Sequence, residues 1–98
     1  MTSIRIRFHE LALAEASAAE RYYSSRSVSL GLEFIDSLDR AVARLRAFLE
    51  SGAPHVRGTR RLLLERFPFA VIYSLEEADV VIVAVAHQRR KPGYWRGR

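Results

Sequence analysis

Two apolar runs, Pro68-Phe69-Ala70-Val71-Ile72-Tyr73-Ser74 and Val80-Val81-Ile82-Val83-Ala84-Val85-Ala86, flank the polar bend Glu76-Glu77-Ala78-Asp79. Both runs have strand length and are rich in β-branched and aromatic residues, and the short polar link joins them as an antiparallel hairpin. The second run is apolar at every position, which predicts a strand in the core of a sheet rather than one with a wet face. Arg60-Arg61-Leu62-Leu63-Leu64-Glu65 precedes them as a further strand, with Arg66-Phe67 at the turn. Short links make the three an antiparallel meander.

Working back toward the N-terminus, Ile4, Ile6 and Phe8 alternate with Arg5 and Arg7, the period of two for a strand with one buried face. From about Glu10 to Arg26 the spacing turns helical, with Leu11, Ala14, Ala18 and Tyr22 on one stripe. Ser24-Ser25-Arg26-Ser27 reads as a break, after which Ser29 is the expected cap of a second helix. There Phe34, Ile35, Leu38, Ala41, Val42, Leu45, Phe48 and Leu49 recur at three and four residues, and Gly52 with Pro54 ends the run. Each large residue of that stripe contributes roughly 1.5–3 kcal/mol if fully buried. The expected fold is α+β in the order β-α-α-β-β-β: a two-helix hairpin on one face of a small, mainly antiparallel sheet, in a single domain spanning residues 1–98.

Composition narrows the function. There is no cysteine, so disulfides and thiolate metal sites are excluded. His9, His55 and His87 show no ligand spacing, no glycine loop for phosphate is present, and no serine has a nucleophile's context. The reading therefore includes no metal and no cofactor. No apolar run approaches the ~20 residues that span a bilayer. The N-terminal Met1-Thr2-Ser3-Ile4-Arg5 lacks the layout of a secretory signal, so a soluble cytoplasmic protein without membrane contact is expected.

Charge is unevenly distributed. Residues 1–56 balance seven Arg against seven acids, whereas residues 57–98 carry nine Lys or Arg against four, so the net +5 sits in the second half. Five of those cations lie in His87-Gln88-Arg89-Arg90-Lys91-Pro92-Gly93-Tyr94-Trp95-Arg96-Gly97-Arg98, directly after the core strand. Arg60, Arg61, Arg66, Arg89, Arg90 and Trp95 are the candidate target-binding residues, since arginine forks suit phosphates and carboxylates. His87, Arg90 and Tyr94 are the candidates for metal-free chemistry on RNA, with histidine moving a proton and arginine stabilising a phosphorane. The alternatives are a His87 bonded to backbone at a strand end, and Tyr94 and Trp95 folded back as an apolar cap.

The Arg60–Tyr73 run, Ala84-Val85-Ala86-His87-Gln88-Arg89-Arg90-Lys91-Pro92-Gly93-Tyr94-Trp95, and Gly31 with Phe34 resemble the ParE/RelE superfamily of toxins from type II toxin–antitoxin systems, also labelled plasmid-stabilisation proteins. The resemblance covers essentially the whole chain. It implies the same β-α-α-β-β-β order and a growth-inhibiting toxin neutralised by a cognate antitoxin, with operator DNA bound through the antitoxin. RelE-like members cut mRNA on the ribosome, whereas ParE-like members resemble inhibitors of DNA gyrase. Against the nuclease pattern, Arg61 and Tyr94 match, but Leu63, Ala70 and Gln88 stand where cations are expected. This leans toward a ParE-like blocker of DNA gyrase, the alternative being a ribosome-dependent mRNA endonuclease using His87, Arg90 and Tyr94.

Overall fold

The computed structural model describes residues 4–98; Met1–Ser3, on which part of the N-terminal reading rests, lie outside the described residues. The elements are β1 (Arg5–Phe8), α1 (Glu10–Arg26), α2 (Val28–Ala47), β2 (Ala53–Pro54), a short 3₁₀ turn (Val56–Gly58), β3 (Arg60–Leu63), β4 (Phe69–Glu76) and β5 (Asp79–His87). They form the α+β fold expected, with a five-stranded sheet ordered β1-β5-β4-β3-β2. β1 runs parallel to β5, and the remaining pairings are antiparallel.

The apolar β5 run is explained by burial on both sides. Val80, Ile82 and Val85 join Val71 and Tyr73 under the helices, against Phe34, Leu38, Ala41 and Leu45. Val81, Val83, Ala84 and Ala86 join Ala70 and Ile72 on the far side, where Trp95 covers them. Strict alternation would not place Val83 and Ala84 together. A bulge does so: Ile72 pairs with Ala84 but Tyr73 with Ile82, leaving Val83 as the extra residue.

Several local expectations are corrected. The inward face of α1 is Ala12, Ala16 and Ala19, not Leu11, Ala14, Ala18 and Tyr22. Both stripes have helical spacing, and the alanines win because small side chains let α1 approach α2 and β5 closely. The helix also continues through Ser24–Arg26, since Ser25 Oγ donates back to the Tyr22 carbonyl at 2.6 Å and satisfies its hydroxyl within the helix. Only Ser27 separates the two helices; it occupies the N-cap position of α2, with Ser29 already inside the helix. On α2, Ile35 and Phe48 of the expected stripe are exposed. The helix ends at Ala47, ahead of Gly52. β3 ends at Leu63 instead of Glu65, where the chain turns through Arg66 at φ 72°.

Candidate functional site

Beyond β5 the chain leaves the sheet in successive turns. Arg90 N–H donates to the His87 carbonyl at 3.0 Å, Arg96 N–H to that of Gly93 at 3.0 Å and Arg98 N–H to that of Trp95 at 3.0 Å. Gly93 sits at φ +87°, a left-handed conformation that L side chains rarely adopt. This winding lays Trp95 back over the sheet at 5% exposure. Its ring stacks on His55 at 5.5 Å between centroids, and its indole N–H has no hydrogen-bond partner among the described residues.

Around Trp95 lies a cavity of about 100 Å³, lined by His55, Arg61, Ala70, Ile72, Ala86, His87, Gln88, Arg90, Pro92 and Trp95. The meander register explains how distant sequence positions converge. Arg61 pairs with Ile72 across β3 and β4, Ile72 with Ala84, and Ala70 with Ala86 next to the strand end. Burial, and secondarily the Arg61 charge, push the His55 pKa below its ordinary value. His55 therefore favours the neutral state within a cationic wall.

A second depression runs between α1 and the end of β5, floored by Tyr22, Tyr23, Phe69 and His87, with Arg89 on its edge. It continues past Arg90 and Tyr94 to Glu15. His87 faces it with its ring edge-on to Phe69 at 5.1 Å, and its Nδ1 accepts a hydrogen bond from Arg89 N–H at 3.1 Å.

Of the sequence-nominated residues, the cavity gathers Arg61, His87, Arg90 and Trp95, while Arg89 lies on the neighbouring groove. Arg60 is held elsewhere, donating to the Gly52 carbonyl at 2.7 Å and the Glu50 carbonyl at 3.3 Å. Arg66 pairs with Glu33 at 3.3 Å. Tyr94 donates its hydroxyl to Glu15 Oε2 at 2.8 Å, and Arg90 lies 3.8 Å from the Tyr94 ring centroid. Burial first, and the hydrogen bond to Glu15 second, push the Tyr94 pKa up. Among the described residues, Arg61, Arg89, Arg90 and Lys91 make no ion pair, so the cavity's edge carries uncompensated positive charge.

In the sequence Glu15 reads only as a helix former, with no functional role. It accepts from Val85 N–H at 3.0 Å and pairs with Arg98 at 2.9 Å as well as binding Tyr94. One signal was available: Glu15 lies three residues from Ala12 and four from Ala19, the two ends of the inward stripe.

The ParE toxin family of type II toxin–antitoxin systems, parDE, matches residues 6–92. The chain belongs to that family. A solved chain of the chromosomal ParDE TA system from P. aeruginosa resembles this ParE-family toxin in fold, with a TM-score of 0.75 at 21% identity over 87% of this chain and 96% of that one. No curated protein matches it. In this ParE-family toxin no described helix is long and apolar enough to cross a membrane.

Proposed function

We propose that this ParE-family toxin inhibits growth by binding DNA gyrase and blocking it, without covalent chemistry of its own. The carrying observation is that the cavity pairs the cations Arg61 and Arg90 with the neutral Ala70 and Gln88. These are two of the three positions where the nuclease pattern expects further cations; the third, Leu63, does not line the cavity. A phosphorane needs several donors aimed at its developing charge, and each one missing costs roughly 10²–10³ in rate. Tyr94 adds to the argument, because a phenol whose hydroxyl is engaged as a hydrogen-bond donor to Glu15 and whose pKa is raised is a poor proton shuttle. What the site retains is a cationic surface, which suits adhesion to an acidic target.

The partner that neutralises it is a cognate antitoxin, a proposal supported by the ParDE origin of the similar P. aeruginosa chain. An antitoxin segment with acidic and apolar residues suits the exposed cations, and operator DNA is reached through the antitoxin. The test is supercoiling by purified gyrase with increasing toxin, beside cell-free translation with the same protein. Inhibited supercoiling with intact transcripts is expected. Full gyrase activity at saturating toxin, with mRNA cut on the ribosome, would replace this reading by the endonuclease.

A further inference from the structure

We infer that Glu15 is a positioning residue for the cationic surface, acting on Arg90 through Tyr94. The inference rests on the reading above that this surface meets the target. It begins with the sheet edge. β1 accompanies β5 only as far as the Phe8–Ile82 pair, so the backbone beyond has no strand neighbour on that side. Glu15 takes the place of one: its Oε1 accepts from Val85 N–H at 3.0 Å, and Arg98 Nη1 donates to the Val83 carbonyl at 3.1 Å.

The same carboxylate holds the tail. Arg98 grips it with both terminal nitrogens, at 2.9 Å to Oε1 and 3.2 Å to Oε2. Their side chains are only 13% and 19% exposed. A carboxylate so enclosed must be paired and well hydrogen-bonded, and four donors meet that need. The fourth is the Tyr94 hydroxyl at 2.8 Å, which fixes the orientation of the ring. On that ring rests the Arg90 guanidinium, 3.8 Å from the centroid, attracted by the π face. Arg90 lines both the cavity and the adjoining groove, and it forms no ion pair among the described residues. A long side chain that would otherwise sample solvent is thus held at one place with its charge uncompensated. Glu15 never touches the target; it determines where Arg90 is presented.

Two measurements test the inference. The first reads geometry without any target: in the wild type, NMR signals of Arg90 side-chain protons are displaced upfield by the Tyr94 ring current. In Glu15→Gln, which retains a carbonyl acceptor for Val85 N–H, and in Glu15→Ala they are expected to return toward random-coil positions. Unchanged Arg90 shifts in both variants would overturn the inference. The second is a double-mutant cycle on binding to purified gyrase. Glu15→Gln is expected to weaken binding by a fold-change similar to that of Arg90→Ala, and the two together by no more than Arg90→Ala alone. Additive losses would mean that Glu15 acts on stability and not through Arg90. If wild-type toxin fails to bind gyrase, the proposed target is wrong, while the ring-current measurement still decides the positioning role.

Discussion

Tyr73 carries a polar group into the centre of the core. The residue is 0% exposed, and its hydroxyl accepts from Gly52 N–H at 2.9 Å and donates to the Leu49 carbonyl at 2.8 Å. These bonds tie the segment that follows α2 to the sheet. A side chain at position 52 would stand 2.8 Å from the Tyr73 ring, so the close approach requires glycine. Tyr73→Phe preserves the ring but orphans a buried donor and acceptor, a loss of about 1–3 kcal/mol. Urea unfolding should report this as a lower midpoint with an unchanged slope. Titration of His55 gives a second prediction at this scale. Its folded pKa lies below the ordinary 6.5, chiefly from burial and then from Arg61. The unfolded chain therefore binds the proton more readily. The stability that His55 contributes is complete above pH 6.5 and is lost as pH falls through the lower folded value. His55→Gln should flatten that part of the stability–pH curve; an unchanged slope in the variant would exclude His55 as its source.

The elements explain why some of the fold was legible and some was not. β5 announced itself because burial on both faces leaves no polar position, and the polar Glu76–Asp79 link could only be a tight turn. α2 was legible from large apolar residues at helical spacing, of which Phe34, Leu38, Ala41 and Leu45 are buried. α1 was misread because alanines on several faces give no contrast, and the choice among stripes depends on how closely a neighbour approaches. The hidden cue was Gly31. A side chain there would run into the Ser24 hydroxyl, which itself bonds Glu20, so this glycine marks a close approach of α1 and α2. Glycine inside a helix costs about 1 kcal/mol relative to alanine, and the close contact offsets that cost. Gly31→Val should overpack the crossing and destabilise by roughly 1–3 kcal/mol. Thermal melts would test this, with Ser24→Gly in the same chain recovering part of the loss. Equal destabilisation with and without Ser24→Gly would place the strain elsewhere.

At the scale of the molecule, the excess charge lies at one end of the sheet. The tail and the β3 start supply Arg61, Arg89, Arg90 and Lys91, whereas Arg5 and Arg7 at the β1 edge are answered by Asp79 and Glu76. Sequence could count these cations but not sort them. Arg60 and Arg61 are adjacent in the chain, yet alternation along β3 sends one to the Gly52 carbonyl and the other to the cavity. Tyr94 was nominated for chemistry, but its partner Glu15 lies 79 residues away, a separation no local pattern reveals. The sorted arrangement makes a kinetic prediction. Exposed charges act over a Debye length of about 8–10 Å near physiological salt, so a cationic surface steers an acidic partner chiefly during approach. The association rate constant of the toxin with purified gyrase should fall as ionic strength rises, with a much smaller change in the dissociation rate. Arg89→Glu should reproduce most of the high-salt effect at low salt, because it reverses an exposed charge that has no ion-pair partner among the described residues. Arg66→Glu should have less effect, since Glu33 already offsets that charge at 3.3 Å. Rapid-mixing kinetics over a salt series would distinguish the two variants, and equal losses from both would argue for diffuse attraction by net charge instead of a surface organised around the tail.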